Sequence, residues 1–410
     1  MPFRLALSGL HAAQADLTVT AHNIANTGTV GFKGSRAEFA ELFSVSPQGV
    51  SAVMVGNGVR VANVAQQFKQ GNIDFTDNSL DLAISGQGFF ILSDGGALSY
   101  TRAGAFQVDR DGYIVNSQNQ RLQAYPPVAG GGFNTGALTD IQVVTSESPP
   151  SATTQAEVIF NLPSNAEPPT VEPFDPAVTT SYNHATSLTV YDALGAAHTA
   201  TMYFVKNDPS APGNDEHQWT LHLFVDGQQV GNTQLRYSST GALIDPVDGR
   251  IPITYDPTNT GAEPMNITLN VGRSTQYGSA FNVNSITQDG YTTGRLIGID
   301  VDSTGVVQAR FTNGRSISLG QIALANFANP QGLQQLGDTA WAETFSSGQA
   351  VRGQAGNSGF GLIQSGALEA SNVDITEQLI NMITAQRNFQ ANAQMISTAD
   401  AITQTIINIR

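Results

Sequence analysis

The chain has 410 residues, of which 12% are charged, with a formal net charge of -15 and no cysteine. The missing cysteine excludes disulfides, thiolate metal sites and cysteine nucleophiles. The acidic balance, with Lys33, Lys69 and Lys206 as the only lysines, leaves no basic patch for phosphates and no attraction to anionic lipid.

The first predicted element is a helix over 3–24. Phe3, Leu7, Leu10, Gln14, Leu17, Ala21 and Ile24 alternate at spacings of four and three, a heptad-like seam. Arg4 lies near the start, but His11, Gln14 and Asp16 interrupt any apolar signal core. No cleaved signal peptide is therefore expected. Gly28, Gly31 and Gly34 then end the helix and predict a joint. Ser35 and Glu38 have capping-box spacing, which predicts a short helix carrying Phe39, Leu42 and Phe43.

From about 48 to 145 the pattern is strands and tight turns. Val53, Val55, Val59, Val61 and Val64 alternate loosely. Leu82, Ile84 and the run 89–92 predict buried strands around Gly86-Gln87-Gly88, and Asp111-Gly112 predicts a hairpin turn. Seven prolines between Pro149 and Pro176 predict a boundary and an irregular connector. Strands resume near 187–191, 202–205 and 219–225, with Asp226-Gly227 as a turn. From 282 to 345 a second β region includes a hairpin turning at 302–305 and a strand through Ile317, Leu319, Ile322 and Leu324.

The stretch 348–361 is again glycine-rich, with Gly353, Gly356 and Gly359 as a second joint. Asp374 and Glu377 then predict the cap of a long last helix. Its stripe runs through Leu379, Met382, Gln386, Phe389, Ala393, Ile396, Ala399, Ile402, Ile406 and Ile409. The positions beside both stripes are mostly Ala, Thr, Gln, Asn and Ser, where a solvated coiled coil carries Glu and Lys. Such helices suit packing on several sides against other copies.

The predicted fold class is mixed and predominantly β. It is an elongated multidomain subunit with paired N- and C-terminal helices forming a coiled-coil-like foot and with nested β domains. The expected division is 1–26 with 370–410 as the helical domain and 27–70 as an extended connector. An inner β domain follows from 71–145 with 281–369, of which 349–369 is a glycine-rich connector. The block 146–280 is an inserted outer β domain.

Catalytic chemistry finds little support. There is no HExxH pair, G-x-S-x-G elbow, P-loop or Ser-x-x-Lys. His11, His22, His184, His198, His217 and His222 lack ligand spacing. Asp300, Asp302 and Gly305, like Asp109, Asp111 and Gly112, fit β-turns better than calcium loops. No catalytic residue, metal or cofactor is expected.

The termini resemble the bacterial flagellar rod and hook axial protein family. The resemblance rests first on Ser8-Gly9-Leu10, Ala13, Leu17, Asn23-Ile24-Ala25-Asn26 and Thr29-Val30-Gly31-Phe32-Lys33. Asp81-Leu82-Ala83-Ile84-Ser85, Gly88-Phe89-Phe90, Tyr100-Thr101-Arg102-Ala103-Gly104 and Phe106 continue it. Towards the C-terminus it is carried by Ala325-Asn326-Phe327, Asn329-Pro330, Gly332-Leu333, Gly366, Leu368-Glu369, Ser371-Asn372-Val373-Asp374 and 382–389. It covers about 1–125 and 280–410.

The resemblance implies a structural subunit exported without a cleaved signal, through the flagellum's own type III machine. Its terminal helices would line the inside of a tubular homopolymer that carries motor torque, and its β domains would lie outside. The block 146–280 favours the hook over the shorter rod proteins. Implied partners are other copies of the chain, rod proteins, the hook cap, hook-filament junction proteins and the export apparatus. A distal rod protein with an insertion is the nearest alternative, and a secreted β-rich adhesin or enzyme is the alternative from another class. Leu7, Leu10, Leu17, Ile24, Leu379, Met382, Phe389 and Ile396 are the expected assembly seam. The helices are expected to be poorly ordered in the free monomer, because their uncharged faces are costly to expose.

Overall fold

The structure is a computed structural model and describes residues 2–42, 56–143, 147–258 and 260–408. Phe43, Val53, Val55 and Ile409 lie outside the described residues. The chain is predominantly β, with helix α1 at Pro2–Ala25 and helix α2 at Ile375–Asn408. It divides into two compact units: Met1–Thr145 with Ile297–Arg310 and Ser316–Arg410, and Ser146–Leu296 with Phe311–Arg315.

The first unit contains α1, α2 and a large sheet. Along the sheet run the strands Leu296–Val301, Val306–Phe311, Ser316–Asn326, Arg121–Tyr125, Phe89–Asp94, Ala97–Thr101, Ala340–Ala342 and Gln334–Gly337. The eleven-residue strand Ser316–Asn326 is its organiser, pairing in turn with four neighbours. One face of the sheet buries Phe89, Ile91, Tyr100, Tyr125, Phe327 and Trp341. These aromatics meet edge to face, with Phe89 5.6 Å from Trp341 and Tyr100 4.8 Å from Phe327, the arrangement that ring quadrupoles favour. Gly86-Gln87-Gly88 turns a corner rather than a hairpin: Leu82–Ser85 pairs with Leu362–Ser365, while Phe89–Asp94 enters the large sheet.

Two expectations are corrected here. Ser35–Glu41 is a strand and not a short helix, pairing antiparallel with Val59–Gln66. Ser35 cannot act as a helix cap, because Asn23 holds both its N–H and its carbonyl in an extended arrangement. The stretch 349–369 is not a loose connector either. It contains the strands Val351–Gln354, Leu362–Ser365 and Ala367–Glu369, each paired within the first unit.

The second unit is a sandwich of two five-stranded sheets. One is an antiparallel meander of His184–Tyr191, Ala197–Lys206, Gln218–Val225, Gln228–Tyr237 and Leu243–Asp245. The other centres on Gln155–Pro163, which runs parallel to Met265–Asn270 and antiparallel to Asn282–Gln288. The last pairing carries the unit past residue 280 to Leu296.

The proline-rich stretch is therefore not one irregular connector. Its first part hides the central strand, in which Ala156, Val158, Phe160 and Leu162 alternate into the core. Its second part lays Phe174 flat on His222, with ring centroids 4.1 Å apart and planes within 9°. Inward positions of both sheets, among them Met202, Phe204, Trp219, Leu221, Ile253 and Ile267, form one continuous core, as period-two alternation requires. At the turn expected at Asp226-Gly227, both residues have positive φ (51° and 80°), the geometry of the tightest hairpins.

Candidate assembly interface

Both helices of the first unit carry exposed apolar residues, among them Phe3 and Leu7 on α1 and Ile380 and Ile383 on α2. Asp374 caps α2: its Oδ1 accepts the N–H groups of Thr376 and Glu377 at 2.7 and 3.0 Å. From there α2 runs antiparallel to α1. Asn23 of α1 donates to Gln378 Oε1 at 3.1 Å. Fourteen residues earlier, Gly9 lies so close to Asn392 that a Cβ would stand 2.5 Å from its amide oxygen. The register places 400–408 beyond the start of α1.

The contact between the helices is made by small and polar groups. Ala6, Ala12, Ala13, Thr20 and Asn23 are buried on α1, and Ala385 is buried on α2. Ser8 of α1 faces the strand pair instead, its Oγ accepting the Val59 N–H at 3.3 Å. Of the expected seam, Leu10, Leu17, Ile24, Met382, Phe389 and Ile396 are half-buried, while Leu7 and Leu379 are exposed.

Further apolar residues of α2 lie off its contact with α1. Ile380, Ile383, Met395 and Ile402 are each at least 50% exposed. At 3.6 residues per turn Ile380 and Ile383 fall on the side opposite Gln378, Ala385 and Asn392, while Met395 and Ile402 lie about a quarter turn from them. Arg387 is the one charge on that side between Ile380 and Ile402. The 3–4 stripe that defines the seam passes over these residues, apart from Ile402. Spaced 3, 12 and 7 residues apart, they form no regular pattern in the sequence. Exposed apolar side chains gathered on one helix make it a candidate interaction surface.

The root of the two helices is rigid and charged. Glu369 is fully buried, with Lys33 Nζ 2.5 Å from one carboxylate oxygen and Arg102 Nη1 3.1 Å from the other. Burial lowers the pKa of Lys33 and of Arg102, and Glu369 partly restores both. Lys33 also donates to the Lys69 carbonyl at 2.8 Å, and Glu369 accepts the Gly71 N–H at 2.8 Å. Asn372 accepts from the Gly34 N–H at 2.8 Å and donates to the carbonyls of Gln67 and Lys69. A carboxylate held in this way joins three segments, and losing one partner would strand a buried charge.

The glycines expected as joints fit this picture of a clamp. Gly31 has φ +70°, and a Cβ there would lie 2.5 Å from the Ala103 nitrogen. Gly34 packs on Val373, and Gly353 lies under the Phe360 ring. Gly356 and Gly359 have positive φ at a turn, and only Gly28 and Gly359 have open space around them. The motif 23–33 therefore ties α1 into the root: Asn23 bridges to Ser35 and α2, and the Gly31 N–H donates to the Glu369 carbonyl at 2.7 Å.

Among the described residues, no cluster of acidic or histidine side chains is spaced to hold a metal ion, and no helix is long and apolar enough to cross a membrane. Asp302 Oδ1 accepts from Thr304 and Val306 within its own turn.

Four family models match in chain order. They are the flagella basal body rod protein (residues 3–33), the flagellar hook protein FlgE/F/G D1 domain (83–165), the flagellar basal body protein FlaE D2 domain (161–291) and the flagellar basal body rod FlgEFG protein C-terminal region (364–409). The chain is 40% identical to the flagellar hook protein FlgE of Escherichia coli over 419 aligned residues, covering 100% of both chains. The chain belongs to the flagellar hook protein FlgE family. The Salmonella typhimurium FlgE is 38% identical, again over 100% of both chains, and the Borreliella burgdorferi FlgE is 33% identical over 98% of each. The crystal structure of Helicobacter pylori FlgE2 shares the fold, with a TM-score of 0.53 at 14% identity over 72% of this chain and 100% of that one. The D2 match falls on the sandwich and the rod matches on the helices, so this FlgE-family chain carries the family's end segments around a β insertion.

Proposed function

We propose that the chain is a structural subunit of the flagellar hook, polymerising with copies of itself into a flexible tube that passes motor torque from rod to filament. The observation that carries this is α2, a 34-residue helix with only Glu377, Arg387 and Asp400 charged, which packs on α1 and leaves Ile380 and Ile383 exposed on its opposite face. One face seats α1 and the other seats helices of neighbouring copies. A tube needs the same heterologous contact repeated around and along its axis. Full-length similarity to proteins named as hook subunits supports the same reading.

The half-buried seam of Leu10, Leu17, Ile24, Met382, Phe389 and Ile396 holds the foot together, and Leu7 and Leu379 at its rim extend the contact to neighbours. The Lys33–Glu369–Arg102 root turns rotation of the foot into rotation of the β region. Any sliding between subunits then occurs at surfaces between copies, not at the glycines of 28–34. The outer β domain, 146–280 in the sequence, limits curvature through its own contacts.

The chain is not an enzyme in this reading. It is exported through the flagellar type III apparatus and resides outside the cell, between rod proteins and hook-filament junction proteins, under a hook cap during growth. Deleting the gene in its host and viewing purified basal bodies tests the assignment. Complete rods without hooks are expected. Truncated rods would move the chain to the distal rod, and intact hooks would remove the hook role.

A further inference from the structure

The second unit holds a buried histidine between the buried carboxylate of Asp192 and that of Asp226, which is 38% exposed. His198 is 5% exposed on the strand Ala197–Lys206. Its Nδ1 lies 2.6 Å from Asp226 Oδ2 and its Nε2 lies 3.3 Å from Asp192 Oδ2. Asp192 follows the strand His184–Tyr191, and Asp226 opens the turn after Gln218–Val225.

The remaining bonds fix the state of both carboxylates. Asp192 Oδ1 accepts the N–H groups of Leu194 and Ala196 at 2.9 and 2.8 Å, and its Oδ2 accepts the Thr260 hydroxyl at 2.8 Å. Asp226 Oδ1 accepts the Thr199 N–H at 2.8 Å, and its Oδ2 accepts the Tyr255 hydroxyl at 3.4 Å. Both act as acceptors throughout, as ionised carboxylates do. A neutral imidazole has one N–H and would aim a lone pair at one of them. Only the imidazolium donates to both.

The group also spans the sandwich. Tyr255 ends the strand Arg250–Tyr255 of the facing sheet, and its ring meets His198 edge-on at 5.4 Å. Thr260 comes from the segment that follows that strand. We propose that Asp192, His198 and Asp226 form a proton-operated latch between the two sheets of this unit, closed while the imidazole holds both protons and loosened when it gives one up.

The facing groups set the range. Burial alone would lower the pKa of His198, but its bonds to Asp226 and Asp192 outweigh burial and raise it above 6.5. Burial would raise both aspartates, yet their hydrogen bonds, including those to His198, lower them below 3.8. Burial and then Asp226 raise the Tyr255 hydroxyl, with Asp256 adding to the effect, so Tyr255 stays a donor near neutrality. A raised histidine stabilises fully below 6.5 and loses that contribution as pH climbs through its folded value. A lowered aspartate stabilises above 3.8 and loses that contribution as pH falls through its folded value. The latch's stabilisation is therefore complete between 3.8 and 6.5, and on the alkaline side the latch opens above 6.5, as pH passes the raised value of His198.

Nitrogen-15 spectra of the imidazoles in the full, dispersed chain test this directly, with His198 assigned through backbone correlations. Both ring nitrogens of His198 are expected to remain protonated at pH 6.5, where an ordinary histidine is half neutral. A half-neutral or neutral ring at that pH overturns the latch. Thermal unfolding of the wild type and of His198→Gln gives the second readout. The stability difference between them is expected to shrink as pH rises above 6.5, and a difference independent of pH overturns the proposal. If His198→Gln does not fold, the ring titration of the wild type decides alone.

Discussion

The strand Gln155–Pro163 and the helix α2 treat apolar residues in opposite ways. In the strand, Ala156, Val158, Phe160 and Leu162 all turn into one core, and none is more than 3% exposed. In α2, Ala385 is the one buried hydrophobic residue among those described, while Ile380, Ile383, Met395 and Ile402 face outwards. The sandwich satisfies its apolar surface internally. The helix leaves part of that task to other molecules. Under the proposed function, helices of neighbouring copies cover those exposed residues.

The sharpest way to break this contrast is a charge on the outer face of α2. Ile383→Glu or Ile402→Glu is expected to abolish polymerisation, read as loss of sedimenting tubes, while thermal unfolding of the sandwich stays at the wild-type midpoint. Leu10→Glu and Phe389→Glu attack the inner seam and are expected to block tubes as well while leaving the β units folded. Tubes of normal yield from either inner variant would show the seam to be misassigned.

Within the first unit, Glu369→Ala leaves Lys33 and Arg102 buried without their anion. A loss of about 3–5 kcal/mol is expected from denaturant unfolding of that unit. An unchanged midpoint would show that the cluster does not hold the root. Phe160→Ala is the matching test in the sandwich, with an expected cost of about 3–5 kcal/mol confined to the second unit. The smallest effect belongs to the cap of α2. Asp374→Ala removes two accepted N–H bonds and is expected to cost about 1 kcal/mol of helix stability, visible as faster amide exchange in the first turn.

Local patterns made the helices, the Asp374 cap and the turns at 111–112, 226–227 and 302–305 legible in the sequence, because spacing and turn chemistry act over a few residues. The strand at 35–41 was not legible. Its Ser-x-x-Glu spacing imitates a helix start, and the bonds from Asn23 that hold it extended come from twelve residues away. The strand 155–163 was masked by the prolines around it. Gly31 reads as a hinge because glycine usually loosens a chain, whereas here it admits the backbone of Ala103 at close range. The Lys33–Glu369–Arg102 cluster brings together residues 336 and 267 positions apart, which no local pattern encodes. Ile380, Ile383 and Met395 were not legible as an exposed set, because they follow no regular spacing beside the 3–4 seam.

The central claim is that other copies of the chain cover the outer face of α2. The absence of cysteine from the 410 residues makes it directly measurable. A single Ile383→Cys substitution keeps an uncharged side chain there, and its thiol can be labelled in the dispersed chain and in assembled tubes. Rapid labelling of the dispersed chain with strong protection in the tube, reversed on dissociation, is the predicted result. Equal labelling in both states would contradict the account.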